Sequence, residues 1–193
     1  MPLPLPVSQE REHIHTRTIT IEAYRRGDGL LDVEGRIVDV KPFEHHMMDG
    51  VRRAGEPVHD LSIRITLDDS LTVVDAVASM DYTAHDLCVH AAPNFSNIVG
   101  LQIGPGWNKK VKGAMSPGLG CTHIIEMLAQ MASGAKQATW SRKAGESLDM
   151  PPPEERVMDQ GLLNTCYPYR ENSPWIEKNF PNSYIASDRI DAS

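Results

Sequence analysis

The sequence predicts an α+β domain in which an antiparallel sheet of about four strands carries helices packed on one face. Residues 16–80 contain four segments whose side chains alternate between apolar and polar, as strands with one buried face do. After Asp81 the apolar residues recur at spacings of three and four, which is the periodicity of amphipathic helices. Strands followed by helices in this order are typical of the α+β class.

The four predicted strands form two hairpins. Turn signals at residues 27–29 and 68–70 join the strands within each hairpin. Residues 42–57 lie between the hairpins, contain prolines and glycines without a packing pattern, and therefore predict a long loop. The predicted strands cover residues 16–24, 31–37, 61–67 and 71–80.

The helical half begins with a short helix predicted over residues 94–101 and a break at 104–106. A long amphipathic helix is predicted from about Thr122 to about Lys143. Prolines at 151–153 end the regular structure. The buried stripe of the long helix is predicted to comprise Ile124, Ile125, Leu128, Ala132 and Ala135.

The chain of 193 residues, 40% of them hydrophobic, is long enough for one core and long for two. We therefore expect a single α+β domain over residues 11–145. Residues 1–10 are expected to form a disordered arm. Residues 146–193 are expected to form an extended, proline-rich tail that packs on the domain or on a neighbouring subunit of a homo-oligomer.

Composition narrows the possible partners and the compartment. No apolar run approaches the roughly 20 residues that a membrane span needs, and the first residues do not resemble a signal peptide, so a cytoplasmic location without membrane association is expected. Three cysteines without a CxxC pair indicate reduced thiols rather than a disulfide framework. A formal charge of −7 argues against nonspecific binding to nucleic acid. The expected partner is a small-molecule substrate.

The most reactive residues stand where a glycine-bearing loop enters the long helix. Cys121 and His123 occupy this position in the run Gly120-Cys121-Thr122-His123. A helix N-terminus favours thiolate over thiol and neutral over charged imidazole. Both side chains are therefore candidate nucleophiles or metal ligands. A buried structural cysteine and a surface histidine are the alternatives.

Two further positions carry candidate ligands. His59 has the same strand parity as Leu61 and is predicted to point to the core, whereas Asp60 points away. A histidine hydrogen-bonded at the end of the sheet is the alternative interpretation of His59. Cys88 precedes His90 by two residues, a spacing that suits metal binding but also an ordinary connection between a strand and a helix.

Short motifs distributed over residues 11–184 together resemble one family. They are His13-Ile14-His15-Thr16-Arg17, Tyr24-Arg25-Arg26 with Asp28-Gly29, Gly55-Glu56-Pro57-Val58-His59-Asp60, Val99-Gly100-Leu101 with Gly106-Trp107, Gly120-Cys121-Thr122-His123 and Thr165-Cys166-Tyr167 with Tyr184. On these motifs the chain resembles the mainly bacterial, uncharacterised family known as domain of unknown function 2889. Cys166-Tyr167 stands where that family's pattern has Cys-His.

Residues 59–138 are also similar to the IscU/NifU type of iron–sulfur scaffold. The shared pattern is a hairpin, a cysteine after the last strand, a short helix, and a cysteine at the start of a long helix. The resemblance implies that His59 or Asp60, Cys88 and Cys121 meet at one end of the sheet, with a histidine in place of one scaffold cysteine. Because of that replacement, we do not carry cluster assembly over to this chain.

These patterns predict one site made of imidazole and thiolate groups. His59, Cys88, Cys121 and His123 are the predicted ligands, and mixed nitrogen and sulfur donors suit Zn²⁺ or iron. Four ligands favour a structural zinc ion. Three ligands leave an open position for water or substrate, with Asp60 or Glu126 as general base or outer-shell partner, and in that case His59 and His123 are also candidate catalytic residues.

Three classes of function follow from this site. The first is a metal-dependent enzyme acting on a small organic molecule. The second is a cofactorless lyase, isomerase or hydrolase that uses His59, Cys121 and His123 around a pocket. The third is a non-catalytic carrier or interaction module, which the low aromatic content of 6% and the extended tail favour.

Overall fold

The computed structural model describes residues 9–48, 50–140 and 151–186. The chain divides into two compact units, Met1–Ser141 and Arg142–Ser193. The first unit contains the sheet and the two longer α-helices, and the second contains short helical turns.

The sheet of the first unit has four antiparallel strands in the order β1-β2-β5-β6, and β3 pairs with β4 in a separate two-stranded ribbon. This arrangement confirms the predicted α+β class and the predicted sheet of four strands. The strands are β1 Thr16–Arg25, β2 Leu31–Val40, β3 His45–Met47, β4 Gly50–Arg52, β5 Pro57–Leu67 and β6 Val73–Tyr82.

Strand periodicity divides the sheet into an apolar face and a polar face. The side chains of Ile37, Leu61 and Ile65 are at most 1% exposed and belong to the core. On the opposite face, charged residues form ion pairs across neighbouring strands, Arg36 with Asp60 and Arg64 with Asp75. The apolar face is therefore the one that the helices cover, as the alternation of the strands predicts.

Two α-helices and a long 3-10 segment complete the first unit. The 3-10 segment covers Asp86–Ile98, helix α1 covers Trp107–Ala114, and helix α2 covers Thr122–Trp140. The predicted buried stripe of α2 is confirmed, because Ile124, Leu128, Ala132 and Ala135 are buried and Ile125 packs partly buried against the core. No helix among the described residues is both long enough and apolar enough to span a membrane.

Close contact between α2 and the sheet depends on Gly35. A Cβ atom at this position of β2 would lie 2.6 Å from Sδ of Met131, which is closer than packed atoms approach. The missing side chain lets the methionines of α2 lie directly against the strand. Trp107 donates its indole N–H to the carbonyl of Leu128 at 3.0 Å, which anchors α1 to α2.

Two local predictions were wrong. Residues 42–57 contain the β3–β4 ribbon rather than an irregular loop, because three residues on each side are enough to pair across a short turn. For helix α1 the sequence predicts only the break at 104–106 that precedes it. Its buried residues Trp107 and Val111 do recur at a helical spacing, but the lysines around them mask the pattern in so short a segment.

The second unit consists of 3-10 turns at Pro153–Glu155, Tyr167–Tyr169 and Pro181–Ser183 and the short helix α3 at Pro174–Asn179. Ser173 caps α3 by accepting a hydrogen bond from the backbone N–H of Ile176. The ring of Trp175 lies 5.1 Å from that of Tyr169 and 5.5 Å from that of Phe180. Packing of this unit on a neighbouring subunit stays a prediction.

Candidate functional site

Asp39 and His59 form the central pair of the site. They occupy facing positions of β2 and β5, and both lie on the apolar face of the sheet, in step with Ile37 and Leu61. Nδ1 of His59 lies 3.0 Å from Oδ2 of Asp39. The predicted inward orientation of His59 is confirmed, and its partner is a carboxylate with only 1% of its surface exposed.

Asp39 is held ionised by its neighbours. Arg17 donates Nε–H and Nη2–H to the two carboxylate oxygens, each at 2.8 Å, and Nε2 of His15 lies 3.2 Å from Oδ1. Burial raises the pKa of the Asp39 carboxyl, but hydrogen bonds and charge from Arg17 and His59 outweigh burial and lower it to about 2. An ionised carboxylate only accepts hydrogen bonds, so we assign the proton to Nδ1 of His59, which leaves Nε2 as a lone-pair donor.

His123 enters the site from the first turn of α2. Its ring centroid lies 4.2 Å from that of His59, and its Nδ1 lies 3.6 Å from Sγ of Cys121. Burial lowers the pKa of His123, and its neighbours His59 and Arg17 lower it further, while Asp39 and Glu126 oppose the change. His123 is therefore neutral near pH 7, which is the form that binds metals or accepts a proton.

Asp39, His59 and His123 form a compact group of potential metal ligands. One ligand atom from each lies within 4.8 Å of those of the other two, and among the described residues this is the group with that spacing. Neither Cys88 nor Cys121 belongs to it. Two of the four predicted ligands, His59 and His123, therefore belong to the compact group. Its third member is Asp39, which was not predicted, and not a cysteine.

A cavity of about 480 Å³ opens beside these residues. All four predicted ligands line it, so the fold does bring imidazole and sulfur groups that are distant in the sequence to one place. The lining residues are His59, Leu61, Thr83, Ala84, His85, Leu87, Cys88, Ala91, Gly118, Gly120, Cys121, Thr122 and His123.

The two predicted general bases do not line this cavity. Asp60 lies on the opposite face of the sheet, where Arg36 binds both of its oxygens and its hydrogen bonds lower the pKa of the carboxyl. Glu126 is exposed on α2, but its charge reaches Arg17 and His123. Glu126 is therefore the acid of this pair that is close to the site.

Sequence reasoning missed Asp39, Arg17 and His15. A signal for Asp39 exists, because it has the same parity as Val33 and Ile37 and is thus an acid on the core face of β2. An acid in that position needs a cation or a donor beside it. The register of β1 against β2 supplies Arg17 directly opposite Asp39.

The low pKa of Asp39 predicts that acid destabilises the metal-free protein. Since the folded pKa of about 2 lies below the ordinary 3.8, the ion pair stabilises fully above about pH 5, and its roughly 2 kcal/mol is lost as the pH falls toward 2. His123 acts in the same direction, because the fold favours its neutral form and that contribution declines as the pH falls below about 6.5. Urea unfolding across this range measures the effect.

The matched control for the acid experiment is Asp39→Asn. This variant lacks the titrating carboxyl, so its stability is expected to change less between about pH 5 and about pH 2. An equally steep decline in both proteins contradicts the assignment of the acid-sensitive group to Asp39.

A family model matches residues 15–137, a stretch that contains every member of the site from His15 to His123. The family is described as protein of unknown function, DUF2889. The chain belongs to this family. The matched stretch of the DUF2889 protein is shorter than the expected 11–184, so the motifs at Cys166 and Tyr184 lie outside it.

Neither the curated proteins nor the solved structures contain a match to this DUF2889 protein. The similarity of residues 59–138 to the iron–sulfur scaffold therefore stays a prediction.

Proposed function

We propose that this DUF2889 protein is a zinc- or iron-binding enzyme that acts as a lyase, isomerase or hydrolase on a small organic molecule. The observation that supports this proposal best is the compact group of Asp39, His59 and His123 beside a cavity of about 480 Å³. Cavities of roughly 300–1,000 Å³ are typical of sites for small molecules. A cytoplasmic location is part of the proposal and agrees with the three free cysteines.

In this proposal the two imidazoles hold the metal and Asp39 orients one of them. Both oxygens of Asp39 already accept hydrogen bonds from Arg17, and a guanidinium so close disfavours a cation bound directly to the carboxylate. A histidine ligand usually donates its other ring N–H to a carboxylate, as Nδ1 of His59 does here. His59 then binds through Nε2.

Cys121 is the proposed third ligand; it lies outside the compact group, so metal binding requires its Sγ and the two imidazoles to move closer together. Its Sγ lies 3.6 Å from Nδ1 of His123. Zinc–sulfur bonds of about 2.3 Å and zinc–nitrogen bonds of about 2.0–2.1 Å at a tetrahedral angle place the two ligand atoms about 3.6 Å apart. Three protein ligands leave a position for water or substrate, where the metal supplies Lewis acidity. Cys88, which also lines the cavity, stays a predicted ligand.

Metal uptake tests the proposal. Tag-free protein is stripped with a chelator, reloaded with Zn²⁺ or Fe²⁺, dialysed and measured by elemental analysis. We expect one ion per chain in the wild type and substoichiometric metal in His123→Ala, because that variant removes a ligand. His85→Ala is the matched control, since His85 lines the same cavity outside the compact group. Failure of the wild type to retain metal, or equal loss in both variants, contradicts the proposal.

A second candidate is catalysis by the thiol and imidazoles without a metal. Two contacts favour it: Cys121 lies beside His123, and His59 is oriented by Asp39, so both a nucleophile with a base and a carboxylate–histidine pair are present. This alternative predicts faster alkylation by iodoacetamide at Cys121 than at Cys88, measured by peptide mass spectrometry, and activity that survives chelation. A chelator-sensitive activity with a slowly alkylated Cys121 rules it out.

A further inference from the structure

The walls of the cavity specify the chemistry of its ligand. Side chains of Leu61, Leu87, Ala84 and Ala91 supply hydrocarbon surface. The polar side chains are imidazoles, thiols and short hydroxyls, and one of the hydroxyls, that of Thr83, already donates to a backbone carbonyl. Apolar walls with a few polar groups at defined points are typical of sites that bind small organic molecules.

Among the described residues that line the cavity, none is an aspartate, glutamate, lysine or arginine. The buried carboxylate beside the site is already paired, since Arg17 donates to both oxygens of Asp39, and Glu126 is exposed on α2. In the metal-free protein, an ion that enters this cavity therefore loses hydration without gaining a charged partner from the lining residues. A neutral molecule does not incur that cost.

We infer that the cavity, when no metal is bound, selects an uncharged small molecule with a largely hydrocarbon body and one polar group that reaches the imidazoles. The inference rests on the proposed function, because it assigns the substrate to the same cavity. It also predicts how affinity depends on charge. Among ligands of similar shape, the neutral one is expected to bind more tightly than the anion or the cation.

Three probes of similar shape test this rule, namely benzamide, benzoate and benzylammonium. Each is titrated into metal-free protein at about pH 8, where the first is neutral and the other two carry opposite charges. Dissociation constants come from NMR shift changes of the histidine ring protons. We expect benzamide to bind about tenfold or more tightly than either ion, which corresponds to about 1.4 kcal/mol. Equal or tighter binding of an ion, or no saturable binding of benzamide, overturns the inference.

A pair of variants places the probe in this cavity. Leu87 lines it and is 77% exposed, so Leu87→Asp introduces a carboxylate without disturbing the core. Val89 is also exposed, lies on the same 3-10 segment and does not line the cavity. Leu87→Asp is expected to weaken the binding of benzamide and to make benzylammonium the more tightly bound probe. Val89→Asp is expected to leave the affinities for both probes unchanged. Identical behaviour of the two variants contradicts the assignment to this cavity.

Because the titrations use metal-free protein, the two proposals fail separately. Absence of metal uptake with a retained preference for benzamide refutes the metal enzyme and leaves the neutral ligand standing. Stoichiometric metal binding without a preference for benzamide refutes the neutral ligand and leaves the metal enzyme standing.

Discussion

Asp39→Asn is expected to weaken metal binding by about 10- to 100-fold, the range typical of losing a carboxylate that orients a histidine ligand. Asp39 is buried and fixes Nδ1–H of His59 at 3.0 Å. An asparagine of the same shape offers a weaker neutral acceptor and can also present its NH₂ group to the ring. His59 then loses both its defined tautomer and the carboxylate that strengthens its Nε2 as a ligand. Competition with a chelating dye measures the affinity.

Asp60→Asn is the matched control for this variant. Asp60 is also buried and also binds an arginine through both oxygens, but it lies on the opposite face of the sheet. Its replacement breaks the pair with Arg36 and leaves the cavity lining unchanged. Equal metal affinity in the wild type and Asp39→Asn, or equal losses in Asp39→Asn and Asp60→Asn, contradicts the role given to Asp39.

The comparison of these two acids shows how far the sequence predicts the site. Strand parity correctly turns Asp60 away from the core and His59 toward it. The same parity turns Asp39 inward, yet its partner is a residue 20 positions later that only the pairing of β2 with β5 brings beside it. Periodicity gives the face on which a side chain lies, but it does not give the register between distant strands.

The helices show the same distinction between local and long-range information. Helix α2 is long and its stripe repeats over several turns, so it is predictable from the sequence. Helix α1 has eight residues and only two of them are buried, so its hydrophobic periodicity does not distinguish it from a loop. The cysteines at the ends of predicted elements, Cys88 and Cys121, do line one cavity because elements that pack on the same sheet face also end near one another.

The site residues meet at the cavity because a packed core lies beneath it. Leu61 belongs both to that core and to the lining of the cavity. This side chain is fully buried in the core cluster, lines the cavity, and lies two residues after His59 on the same face of β5. Leu61→Ala is expected to destabilise the protein by about 2–5 kcal/mol, because it removes buried methyl groups and leaves a void that neighbours fill only in part. Urea unfolding measures this loss.

Val77→Ala serves as the control for the packing argument. Val77 lies on the neighbouring strand β6, but its side chain is 52% exposed on the other face of the sheet. Its truncation is expected to change stability by no more than about 0.5 kcal/mol. A loss below about 1 kcal/mol in Leu61→Ala would mean that the cavity floor is not packed like a core. In that case His59 would lack the rigid support that a fixed ligand or base requires.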